Sequence, residues 1–160
     1  MRKFGVMLVA LVVAGLTMAG VGAAAAEPQL PRVVQYSENI GTFGDHDFCH
    51  GTFNVGMVAP KGKRGVIRLT LTSFGFTGNG AGWKRNPRCR VLMDINYASP
   101  SVGAREIFVP ATFGPRRGDK VVRDIYTGSG PAVLSVWPYA AHNPLRVSQG
   151  YGSTFYTVVP

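Results

Sequence analysis

GVIRLTLTSFGF (residues 65–76) decides the fold class. Ile67, Leu69 and Leu71 fall on one side of an extended chain, and Arg68, Thr70 and Thr72 on the other. A strict period of two marks a strand with one buried and one wet face. The pattern recurs on both sides. In FCHGTFNVGMV (48–58), Cys49 shares a face with Phe53, Val55 and Met57; in RCRVLMDINY (88–97), Cys89 shares a face with Val91, Met93, Ile95 and Tyr97. Further short β-prone runs are Arg32 to Tyr36, AREIFVP (104–110), DKVVRDIYT (119–127), AVLSVWPY (132–139) and YGSTFYTVV (151–159). Pro138 places its strand at an edge or an end, because proline cannot donate to a ladder.

Between these runs lie turn and loop segments: GTFGDHD, APKGKRG, TGNGAGWKRNP, ASPSVG, ATFGPRRG and TGSGP. Nothing shows a helical 3.6-residue repeat. The total is about seven to nine strands at roughly 10 to 14 residue spacing, close to what a sandwich or barrel requires. The expectation is all-β: a single β-sandwich of immunoglobulin-like architecture, with a small closed β-barrel as the alternative. The immunoglobulin tryptophan lies between the two cysteines. Here Trp137 follows both, and Trp83 falls in a loop. The expectation therefore covers the layers and not the family.

Residues 1–26 have the layout of a cleaved signal peptide. Arg2 and Lys3 precede an apolar run from Phe4 to Ala19, and Ala24-Ala25-Ala26 supplies small residues before Glu27. The run is long enough for a membrane anchor, but its Gly and Ala content and cleavage-type end favour removal. Cleavage leaves 134 of the 160 residues, 27–160, as one secreted domain. No twin-arginine pair precedes the run, and no cysteine stands at the cut. The bias to Arg over Lys, with the Ala/Gly/Val-rich leader, is what a GC-rich bacterial gene gives.

Cys49 and Cys89 are the only cysteines. In an exported chain they have a single intramolecular pairing, and both sit on inward faces, so a disulfide between two strands is expected. That pairing leaves no thiol for catalysis or redox exchange.

The whole chain carries 17 basic and 8 acidic residues. Three groups stand out: Lys61, Lys63 and Arg64; Lys84, Arg85, Arg88 and Arg90; and Arg116, Arg117 and Lys120, with Arg123 following on its strand. Loops gather at the ends of a sandwich, so two groups can form one positive patch. Trp83 beside Lys84 and Arg85 offers an aromatic platform next to cations, or else folds back over the core. Asp45, Asp47 and His50, beside His46, are the candidate metal ligands, with His142 arriving from afar. The alternative for these carboxylates is to satisfy backbone donors in a turn.

Enzymatic signatures are sparse. No G-x-S-x-G elbow occurs, and the glycines of GFTGNGAG lack the lysine of a phosphate loop. His50, His142, Glu106 and the arginines are the residue types a small ribonuclease uses, but no spacing selects them. No catalytic residue and no cofactor are assigned. The leading expectation is a secreted, non-catalytic binding module whose ligand-binding residues are Trp83, Lys84, Arg85, Arg88, Arg116 and Arg117. Its partner would be an anionic cell-surface polymer or another protein, with nucleic acid disfavoured. The alternatives are a small secreted hydrolase, ribonuclease-like or metal-assisted, and a module whose loops insert into another protein.

Overall fold

The computed structural model describes residues 26–160. The proposed signal segment lies, apart from Ala26, outside the described residues. Nine strands form: β1 (Arg32–Val34), β2 (Asn39–Phe43), β3 (His50–Val58), β4 (Val66–Thr77), β5 (Cys89–Ser99), β6 (Gly103–Phe113), β7 (Lys120–Tyr126), β8 (Gly130–Ala140) and β9 (Ser153–Val159). They make two antiparallel sheets, ordered β1-β9-β8-β5-β6 and β2-β3-β4-β7. The arrangement is sandwich-like, and each sheet keeps its own two edges. Among the described residues, no helix is long and apolar enough to cross a membrane. A disulfide-bonded all-β domain of this kind is compatible with an extracellular location.

The alternation read from the sequence builds the core. Val55, Met57, Ile67, Leu69 and Leu71 face inward from the four-stranded sheet. Val91, Met93, Ile95, Leu134, Val136 and Phe155 face them from the five-stranded sheet. Phe113 at the end of β6 stacks on Phe53 and Phe76 of the opposite layer, with centroids 5.8 and 5.0 Å away. A large side chain of this kind buried on folding contributes about 1.5–3 kcal/mol.

Strict alternation through β4 would carry Phe76 to the wet face. Instead it is buried. The β3–β4 register shifts between Gly51 and Phe53, which pair with Phe76 and Ser73, so β4 holds one extra residue there. Gly75, at φ 100°, takes up the bulge. The resulting reset turns Phe76 inward and leaves Phe74 exposed.

Pro138 settles differently from expectation. β8 is interior, between β9 and β5, yet Pro138 is tolerated in it. The β8–β9 register ends at Val136, and the Pro138 carbonyl accepts from the Gln149 N–H. On a strand, nitrogen and carbonyl of one residue point the same way, so the proline nitrogen faces the loop and no β5 bond is lost. Trp137 is half-buried on the outer side of β8, not in the core.

Cys49, just before β3, is bonded to Cys89, the first residue of β5, with Cα atoms 5.8 Å apart. The bond therefore staples the two sheets at one end. Gly44 lies against both sulfurs, where even a methyl group would collide. The bridge closes a loop of 40 residues, worth about 4 kcal/mol in the chain-entropy account. Denaturant unfolding of the oxidised protein and of a Cys49→Ala/Cys89→Ala variant measures this. The variant is expected to lose about 4 kcal/mol; equal midpoints would show that the bridge adds nothing.

Candidate functional site

The stapled end of the sandwich gathers four loops. They are β2–β3 (44–49), β4–β5 (78–88), β6–β7 (114–119) and β8–β9 (141–152). Their mutual bonds decide which of the sequence candidates remain free.

Asp45 is the hub. Its side chain is 2% exposed. It accepts the Arg90 main-chain N–H at 2.9 Å, the Arg90 Nε at 2.7 Å and the His46 Nδ1 at 2.8 Å. His142 Nε2 lies 3.5 Å away. Burial opposes the charge, but these donors outweigh it and hold the carboxyl down at about 2. His46 is gripped from both sides. Its Nε2 faces the Asn86 carbonyl at 2.9 Å while its Nδ1 faces Asp45. Two acceptors favour the doubly protonated ring, so the carbonyl and then the carboxylate raise its pKa.

Asp47 clamps the glycine-rich loop. Its carbonyl accepts from Asn79 and Gly80, and its Oδ1 from the Gly82 N–H at 2.9 Å. Gly80 and Gly82 pack so close to Asp47 that a side chain at either would overlap it. The carboxylates thus satisfy donors, the alternative weighed for them. His50 sits apart on the outer side of β3, bonded to the Phe48 carbonyl at 2.8 Å. The metal-type cluster among the described residues is instead Asp45, His46 and Cys49. Its sulfur is committed to the disulfide. The ribonuclease-type residues are also separated. Glu106 lies seven residues along β6 from Phe113, about 24 Å from the loop end, whereas His50 and His142 are at it.

The basic residues divide into two kinds. Arg90 is taken by Asp45, and Arg88 reaches Asp119 at 3.4 Å. Lys84 and Arg85 are exposed on the β4–β5 loop, and Arg116 and Arg117 on the neighbouring β6–β7 loop. Among the described residues, no carboxylate pairs with these four. The two loops meet through Arg88 and Asp119 and along a shallow cleft lined by Pro87, Arg88, Pro115 and Arg116. Lys61, Lys63 and Arg64 lie at the opposite end, where Lys63 binds Asp124 at 2.7 Å. Trp83 packs on the core, half-buried, with the His46 ring 5.9 Å away. It anchors its loop and is not a free-standing platform.

Sequence reasoning missed Phe48. It is 79% exposed at the tip of the β2–β3 loop. Both Asp47 and Phe48 have φ 50°, a left-handed conformation that costs a bulky residue of order 1 kcal/mol or more. Only the backbone geometry reveals it; the sequence shows an ordinary aromatic beside a cysteine.

The pH dependence of the clamp follows from its two groups. His46, raised in the fold, stabilises below the ordinary value of 6.5 and loses that contribution as pH climbs through its folded pKa. Asp45, lowered to about 2, stabilises above 3.8 and loses that contribution as pH falls towards 2. Thermal melts across pH are expected to show wild type losing stability on the alkaline side of 6.5, with that loss absent in His46→Gln. Parallel curves would contradict the clamp.

Compared with known proteins, the chain matches no family model, and no curated protein is found similar to it in sequence.

Proposed function

We propose that the protein is a secreted, non-catalytic binding module whose basic loops contact an anionic cell-surface polymer or a partner protein with a matching acidic face. One observation carries this reading. Lys84, Arg85, Arg116 and Arg117 are exposed, unpaired among the described residues and gathered on adjacent loops. The acids at that end are occupied elsewhere, Asp45 by Arg90 and His46, Asp47 by the glycine loop. Positive potential from the four cations is therefore left uncancelled, and it draws anionic ligands.

Secretion and a cleaved signal at 1–26 belong to the same reading, as does a bacterial source; a disulfide in a basic domain agrees with export. The immunoglobulin-like character of the sandwich is likewise an inference. It is supported by two antiparallel layers joined through one bridge, while the tryptophan order departs from that family.

The test uses residues 27–160 and a soluble polyphosphate, titrated across a salt series. Saturable binding is expected, falling steeply with salt as counterions are released. Lys84→Glu/Arg85→Glu is expected to weaken it roughly tenfold with the melting temperature nearly unchanged. Lys61→Glu/Arg64→Glu, at the opposite end, should leave it intact. Binding indifferent to salt and to both variants would reduce the charge to a solvated surface.

A further inference from the structure

The cationic end also carries apolar side chains that the fold leaves in water. Phe43 at the end of β2 is 56% exposed, Phe48 79%, Leu145 84% and Tyr151 91%. All four belong to the β2–β3 and β8–β9 loops or their flanks. Isolated exposed apolar residues are ordinary. These share one end, and their two loops are fastened together. The Phe43 N–H donates to the Gln149 carbonyl at 3.0 Å, Gly150 packs on the Gly41 carbonyl, and His142 approaches Asp45. Through Asp47 and His46, the β2–β3 loop is in turn bonded to the loop that bears Lys84 and Arg85.

Phe48 is the telling member. Its left-handed backbone holds a large ring outward at a cost in strain. The short turn is closed by the Cys49 N–H on the His46 carbonyl at 2.8 Å, and the disulfide fixes the residue that follows. The ring gains no burial in return.

Apolar tips beside unpaired cations, on neighbouring loops of one end, match the two layers of an acidic bilayer, acyl chains below and anionic headgroups above. A soluble polyanion would use the cations but offer nothing to the aromatic tips. We propose that the stapled end docks on an anionic lipid surface, with Phe48 and Leu145 entering the headgroup–acyl boundary while Lys84, Arg85, Arg116 and Arg117 contact the phosphates. This rests on the reading of that end as a cationic binding face and goes beyond it in taking a lipid surface as the partner.

Cosedimentation with vesicles tests it. Residues 27–160 are mixed with phosphatidylcholine vesicles and with phosphatidylcholine–phosphatidylglycerol vesicles, at low and high salt, and in parallel with polyphosphate. Binding is expected to the mixed vesicles and to be far weaker on phosphatidylcholine alone. Phe48→Ser/Leu145→Ser removes only exposed groups, and is expected to lower partitioning into mixed vesicles at least about tenfold while leaving polyphosphate binding unchanged. Lys84→Glu/Arg85→Glu should lower both. No binding to mixed vesicles, or binding that the double serine variant leaves intact, overturns the lipid proposal. In either case retained polyphosphate binding preserves the broader reading, and its loss removes that as well.

Discussion

The carboxylate of Asp45 is the interaction on which the stapled end depends. It is enclosed by three donors, two from Arg90 of β5 and one from the neighbouring His46, so removing it would leave Arg90 and His46 without their shared acceptor. Next to it the disulfide joins the two sheets, and Gly44 fits between them only because it lacks a side chain. Covalent bond and buried ion cluster act on the same few residues. The bond limits how far the layers separate; the carboxylate sets the direction in which the loops leave them.

That arrangement allots the charges. Acids of the end are spent inside the structure, on Arg90, His46 and the amides of the glycine loop. Arginine is therefore used in two ways within a few residues. Arg90 is a structural ligand, while Arg85 extends freely into solvent. Summed charge could not separate the two, because the difference lies in which cation the backbone brings within reach of a buried oxygen.

Much of the fold was legible in the sequence. Alternation at Ile67, Leu69 and Leu71 located the core, and the inward faces of Cys49 and Cys89 gave the bridge. Departures came where local pattern yields to tertiary context. The Gly75 bulge resets alternation, so Phe76 turns inward against the period. Pro138 sits in an interior strand because its nitrogen, which has no hydrogen to donate, faces a loop and not β5, which depends on where β9 begins. At the candidate site, the basic groups were visible as a list, but their division into paired and free was not. Partners such as Asp119 for Arg88 and Asp45 for Arg90 come from distant segments. Phe48 carried no signal at all, since its exposure follows from a backbone conformation that phenylalanine does not ordinarily prefer.

The pairing of β1 with β9, Arg32 opposite Thr157, has a consequence for how the chain comes to its final shape. The first strand of the domain finds its partner only in the last. While the chain is being made, the five-stranded sheet stays open along β8, with a row of unfilled backbone donors and acceptors. Such distant closure is slow and leaves the partial structure adhesive to other strands. Shortening the chain by its final strand would thus remove more than seven residues. It would leave β1 without a neighbour and convert β8 from an interior strand into a raw edge.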